Sequence, residues 1–307
     1  MPILPYRAEM AGAVTESYNR TFGRVPLCYP VRADDVAAAV ASPEALVRDP
    51  PLTAMAAFAA ADDDGVRGFV QAGVLPPDPE GEAGLGMIRF FWYEPGCRAV
   101  GQALLEEAEA HLSRCGVGRI EVFRDRYKFP FCQMRPCYLS DSLGHVQALL
   151  LVNGYERVAG EVVLAWPDFE PVPPRPPAEP VDIAVQWHAA PDRRPAATLD
   201  AFKDGRPIAQ CRCVRVGDYS DDERARDWFF VVWLGVDDEY QGHGLGMHLL
   251  RRAFVEMRGV GYRHAAISTR LHNHRAFLFY SNFGYHVADW THGFGRTVAP
   301  PAAQARR

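Results

Sequence analysis

Between the apolar run WFFVVWLGV (Trp228–Val236) and a segment carrying Leu245, Leu249, Leu250, Ala253, Phe254 and Met257 at helical spacing lies Gln241-Gly-His-Gly-Leu-Gly246. A strand that enters a glycine loop and then at once a helix can hold an anion. The first N–H groups of a helix have no intrahelical acceptor, and the aligned peptide dipoles add about half a positive charge there. Gly242, Gly244 and Gly246, with His243 and Leu245 between them, let a ligand approach the backbone without a Cβ in the way. The run Gln241–Gly246 therefore reads as a diphosphate site. The plain alternative is a turn that only packs a helix onto a sheet. The run lacks the Gly-Lys-Ser/Thr ending of a P-loop and the G-x-G-x-x-G pattern of a dinucleotide fold.

Downstream, NHRAFLFYSNFGY (Asn273–Tyr285) places Asn273, Ala276, Phe277 and Tyr280 on one helix face. A weaker copy of the arrangement occurs earlier. MIRFFWY (Met87–Tyr93) leads into EPGCRAVGQALL (Glu94–Leu105), with Arg98, Gly101 and Ala103 where the later loop has Gln241, Gly244 and Gly246. Four residues before the glycine that ends each closing helix stand Leu150 (before Gly154) and Tyr280 (before Gly284). Leucine has no proton to give.

The elements around these residues repeat in order. In the first half, ILPYR reads as a strand, followed by two helices and a hairpin across DDDG. The glycine-loop strand, its helix, the strand RIEVFR and a closing helix come next. The second half opens on a hairpin across KDGR, an Asp-Gly turn signal, and repeats the later part without the early helices. Half of Pro167–Pro180 is proline, which fits neither a helix interior nor a central strand. The expected division is a domain over 1–166, a stiff linker over 167–180 and a shorter domain over 181–307. The fold class is α/β, with mixed sheets of α+β character.

The stretch LGVDDEYQGHGLGMHLL resembles the acetyl-CoA-binding segment of the GNAT superfamily of N-acetyltransferases, pattern [Arg/Gln]-x-x-Gly-x-[Gly/Ala]. Asn273–Tyr285 resembles that superfamily's closing helix, and Arg98–Ala103 fits the loop pattern more weakly. The layout is similar to that of tandem-repeat members such as mycothiol synthase. The resemblance implies two GNAT-like domains and acetyl-CoA as co-substrate. It makes Gln241–Gly246 and Asn273 cofactor-binding, and gives the backbone of Leu234 and Val236 the task of pairing with the pantetheine arm. It implies that Tyr280 protonates the leaving thiolate, in a catalytic second domain. The first domain is then degenerate, with Arg98, Gly101 and Ala103 as a possible second CoA site. An amine with a pKa near 10 must lose a proton before it attacks. Asp227, just before the strand, is the first choice for that base; Glu223 and the histidines His243, His272 and His274 are others.

Composition narrows the classes. The chain has 307 residues and a formal charge of −5, which argues against a nucleic-acid partner. No apolar stretch approaches a membrane span, and the N-terminus lacks the order of a secretory signal. Seven cysteines, with Cys211/Cys213 and Cys132/Cys137 as the close pairs, lack zinc-site spacing. No metal is expected, and reduced thiols suit a cytoplasmic chain. The expected activity is acetyl transfer to a small-molecule amine. A non-catalytic acyl-CoA sensor and a protein lysine acetyltransferase are the alternatives.

Overall fold

The computed structural model describes residues 1–46, 49–77, 84–134, 136–178 and 180–298. The chain forms two compact units, Met1–Val162 with Asp289–Arg307, and Val163–Ala288. The expected division kept 181–307 together. In the structure the described residues from Asp289 to Val298 belong to the first unit.

In the first unit the strands are β1 (Ile3–Pro5), β2 (Thr53–Asp62), β3 (Gly65–Leu75), β4 (Leu85–Tyr93), β5 (Arg119–Val122), β6 (Leu139–Ser140) and most of β7 (Glu156–Trp166). Its helices are α1 (Ala11–Phe22), α2 (Ala33–Ala41), α3 (Arg98–Arg114) and α4 (Gly144–Val152). Strands β1 to β4 pair antiparallel in succession, and β4 pairs parallel with β5. The apolar stripe of α1 explains the early helices: Val14, Tyr18 and Phe22 are buried. Tyr18 and Phe22 meet Phe90 and Trp92 of β4 at ring distances of 5.3–6.1 Å. Each such ring contributes about 1.5–3 kcal/mol on burial.

The second unit contains β8 (Asp182–Ala190), β9 (Arg193–Lys203), β10 (Arg206–Arg215), β11 (Trp228–Val236) and β12 (His264–Arg270). Its helices are the short α5 (Glu223–Arg226), α6 (Leu245–Gly259) and α7 (His274–Phe283). Strands β8 to β11 are antiparallel neighbours, and β11 runs parallel to β12. The β9–β10 turn has Asp204 at φ 50° and Gly205 at φ 77°, the left-handed pair that an Asp-Gly hairpin favours. The final strand, β13 (His286–Thr297), crosses from one unit to the other. Its later residues pair antiparallel with β5, from Phe294 opposite Val122 to Thr297 opposite Arg119. Among the described residues no helix is long and apolar enough to cross a membrane.

Helix α6 is fixed through Phe254. Its ring lies 4.7 Å from Phe169, 5.3 Å from Phe229, 5.4 Å from Trp166 and 5.2 Å from Phe283. The neighbouring corner carries a titratable contact: Nδ1 of His264 accepts the N–H of Asp168 at 2.8 Å, which requires that nitrogen to be unprotonated. Burial pushes the His264 pKa below the ordinary histidine value, against the pull of the Asp168 carboxylate. A depressed histidine pKa favours folding of the neutral form. Its contribution is complete above about pH 6.5, and it is lost as pH falls through the lower folded value. The thermal midpoint should therefore fall between pH 7.5 and pH 5, and His264→Gln should flatten part of that slope. Identical slopes for the two proteins would exclude this coupling.

Candidate functional site

The site begins with a change of hydrogen-bond partners along β11. Its parallel ladder with β12 runs from Trp228 opposite His264 to Val231 opposite Ile267. On its other edge β11 stays paired with β10 as far as Val236 opposite Ala209. The register skips at Val232, because Arg212 faces Trp233 while Cys213 faces Val231. Such a bulge bends its strand and increases the local twist. Beyond it, Asp237 donates its N–H toward β10, to the Ile208 carbonyl at 2.9 Å. The alternation of a strand then turns the backbone groups of Leu234 and Val236 toward the edge that has left β12. The Val236 carbonyl accepts from Nε2 of Gln241 at 3.0 Å.

Past β11 the chain makes one 3-10 turn at Asp238–Tyr240 and becomes extended at Gln241. Gln241 ties the loop together. Besides Val236 it reaches Oδ1 of Asp238 at 2.7 Å, and its Oε1 accepts from Arg275 of α7 at 3.2 Å. Gly242 and Gly244 have φ of 83° and 84°, a region costly for residues with a Cβ. Gly244 is the N-cap of α6 and has no side chain to cap with. Its carbonyl takes the N–H of His248 at 3.0 Å. The N–H groups of Leu245, Gly246 and Met247 therefore form an uncapped first turn. The His243 side chain is exposed, and its carbonyl accepts from the Ala178 N–H at 3.2 Å.

Tyr280 is the one fully buried residue of α7, 7% exposed, with its ring centroid 6.1 Å from that of Tyr285. The Tyr285 hydroxyl is buried without a hydrogen-bond partner, and burial raises its pKa well above the usual tyrosine value. Asn273 is the N-cap of α7: its Oδ1 accepts the Ala276 N–H at 3.1 Å. Asp227 needs correction as a base. It precedes the first residue of β11 and pairs with Arg194 at 2.8 Å, while its carbonyl takes the N–H groups of Arg263 and His264. At about 3.3 Å per residue it lies roughly 30 Å from Val236, at the end of the strand opposite the loop. Glu223, in α5, belongs to that same end.

The first unit repeats the framework with different contents. Strand β4 pairs with β5 for the same four positions, Leu85 opposite Arg119 to Ile88 opposite Val122, and bulges at the next residue, Arg89. Where β11 has Val232, β4 thus has an arginine only 2% exposed. Its guanidinium donates to the carbonyls of Ala39, Ser42, Glu44 and Tyr127, and burial lowers its pKa to about 10. At the far end of β4 the Tyr93 carbonyl lies 2.9 Å from Nε2 of His145, and the Tyr93 hydroxyl donates to the His145 carbonyl at 2.7 Å. A Cβ on Gly101 would lie 2.4 Å from the Tyr93 ring, so this glycine serves helix–strand packing. Arg98 and Ala103 lie in the first turns of α3, beside this closed region.

The framework has known counterparts. Residues 162–285 match the family model described as Acetyltransferase (GNAT) family. Among solved structures, a tandem GNAT protein from the clavulanic acid biosynthesis pathway has a TM-score of 0.68 at 15% identity, over 98% of this chain and 99% of that one. A GCN5-related N-acetyltransferase from Sphaerobacter thermophilus gives 0.60 at 14%, over 98% and 96%. A glucosamine N-acetyltransferase region of a fungal multi-domain GH3 β-N-acetylglucosaminidase gives 0.64 at 15%, over 96% of this chain and 38% of that one. No curated protein sequence matches. The matched residues span nearly the whole of the second unit. The chain as a whole has the tandem GNAT fold, with two GNAT-like domains.

The loop glycines differ in what they do for the fold. Gly244 needs its positive φ, whereas a Cβ on Gly246 would meet only Cγ2 of Val236 at an ordinary 3.5 Å. Gly244→Ala should cost roughly 1–2 kcal/mol. Gly246→Ala should be neutral or stabilising by up to about 1 kcal/mol, as expected for alanine in a helix. Urea denaturation of the two variants checks this, and equal losses would contradict it.

Proposed function

We propose that the protein is an acetyl-CoA-dependent N-acetyltransferase that acetylates the amine of a small molecule, with the reaction confined to the second unit. The observation that carries this reading is the parting of β11 from β12 after Val231, directly upstream of an uncapped helix start built on two left-handed glycines. Acetyl-CoA supplies the acyl thioester. The first-turn amides of α6, with Gln241–Gly244 before them, suit its diphosphate. The edge N–H groups of Leu234 and Val236 suit the pantetheine arm and the thioester carbonyl, where fixed donors favour the developing oxyanion. The Val236 carbonyl is free for the arm once Gln241 releases it.

Tyr280 carries a phenolic O–H on the buried face of α7 and is the residue we assign to protonate the departing thiolate. Asn273 orients the helix that carries Tyr280, through its cap. We place the protein in the cytoplasm, where its seven free cysteines would stay reduced. The first unit is assigned a structural role, because the gap beside β4 is filled by Arg89 and its end is closed by His145.

Calorimetry and thiol release test these assignments together. One acetyl-CoA should bind per chain; two would return Arg98, Gly101 and Ala103 to the role of a second site. Tyr280→Phe should lower kcat about 10²-fold or more while leaving the acetyl-CoA Kd within about twofold. Unchanged kcat would remove Tyr280 from catalysis. Binding of acetyl-CoA with no turnover of any amine would favour a sensor, and turnover confined to lysine peptides would favour a protein acetyltransferase.

A further inference from the structure

One face of the second unit's sheet carries side chains that the acetyl-transfer machinery leaves unused. Helix α6 packs on β9, β10 and β11, against the face that bears Cys211, Cys213 and their cross-strand partners Leu234 and Val231. Both cysteines are buried. The alternate residues point the other way. There Trp233 lies opposite Arg212, and Arg212 opposite Thr198, in one row across three strands. The next row is Gly235, Gln210 and Asp200.

Trp233 is 56% exposed, unusual for an indole in the middle of a sheet. Its ring lies along its own strand over Gly235: a Cβ there would sit 2.8 Å from the indole Nε1 and 3.0 Å from Cε2. The indole thus presents a flat face, made possible by the glycine beneath it. Beside it, Arg212 is exposed and has no carboxylate partner among the described residues. The neighbouring polar groups are already engaged. Asp200 accepts from Gln210 at 2.8 Å, and Nε2 of His188 lies 2.8 Å from the Thr198 hydroxyl. In sequence Trp233 sits between the bulge at Val232 and Leu234, whose backbone groups face the opened edge. The aromatic platform and the free guanidinium therefore adjoin the point where β11 leaves its partner.

We infer that Trp233 and Arg212 form the acceptor-binding surface, and that the acceptor is an alkyl amine bearing both an aromatic ring and a carboxylate, such as an aromatic amino acid. An exposed indole face takes another ring by offset stacking. A guanidinium not paired with a carboxylate, its neighbour Asp200 being bonded to Gln210, takes a carboxylate through two parallel N–H donors. The two groups, paired across adjacent strands, would hold ring and carboxylate and leave the amine directed to the opened edge. This inference rests on the acetyl-transfer reading and names its substrate class.

The test uses the full chain saturated with CoA, titrated by calorimetry with phenylalanine and with phenethylamine, its decarboxylated counterpart. Phenylalanine should bind about tenfold more tightly than phenethylamine, as expected for one charge-assisted contact. Arg212→Gln should erase that preference, and Arg212→Lys should keep part of it. Trp233→Ala should weaken phenylalanine to the level of alanine. Both side chains are exposed, so the thermal midpoints and the CoA affinity should stay as in the parent protein. Equal affinity for the two amines, no binding of phenylalanine with CoA in place, or a preference that survives Arg212→Gln would overturn the inference and leave acetyl transfer standing. Failure of CoA itself to bind would overturn both.

Discussion

A β-strand has two edges to satisfy, and β11 satisfies both for only four residues. From Val232 onward it keeps β10 and gives up β12. The bulge makes this possible, since an extra residue on one strand rotates the later residues away from the old register. Releasing an edge has a cost: a buried backbone group left without a partner loses about 1–3 kcal/mol. The Val236 carbonyl avoids it by accepting from Gln241, a residue that also braces the loop to α7. The glycine loop and the uncapped start of α6 follow directly on the place where that edge opens, and Arg275 ties α7 to the same loop.

The first unit shows the other solution to the same cost. It bulges at the corresponding residue, but there a buried guanidinium fills the gap and donates to four backbone carbonyls. Lys128, fully buried, does the same for the carbonyls of Cys132 and Met134, at 2.7 and 2.6 Å. Two buried cations without a carboxylate give up much solvation; what they gain is a closed interior in which those backbone carbonyls are bonded. A gap sealed in this way favours rigidity, and one left lined with Val232 and free amides favours a ligand. The tandem fold thus places a packed version and an open version of one framework in a single chain.

The strand–loop–helix unit is legible in the sequence because its signals are local: an apolar run, positive-φ glycines, then a period near 3.6. The paired half-repeats are legible for the same reason. Pairing across strands is not. Nothing near Val232 or Arg89 announces a bulge, because the skipped register is set by residues of β10 and β3. Arg89 is the one charge in MIRFFWY, and its acceptors come from Ala39, Ser42, Glu44 and Tyr127, all distant in sequence. Asp227 illustrates the opposite error: closeness in sequence to the functional strand puts it at the wrong end of that strand. Trp233 looks like one more core aromatic, and only its row with Arg212 reveals the open face. The later part of β13 reads as part of the second domain because β5, its actual partner, lies far earlier in the sequence.

The proline-rich segment has a position that composition alone would not suggest. Half proline and extended, it reads as a spacer, yet its residues are bonded to the second unit. Phe169 enters the aromatic cluster around Phe254, and the Asp168 N–H meets His264. The Arg175 carbonyl lies 2.6 Å from Nδ1 of His248, in the first helical turns of α6, and Ala178 donates to His243 within the glycine loop. Proline lacks an N–H, so such a strap offers mainly carbonyl acceptors and competes little for the amides at the start of the helix. Its restricted φ also limits the entropy lost when it docks. A strap with those properties can hold the loop and the first turns of α6 in place while leaving the N–H groups of Leu245, Gly246 and Met247 uncommitted. Preorganisation of this kind lowers the ordering cost of binding, and here it acts on the segment whose backbone must stay available.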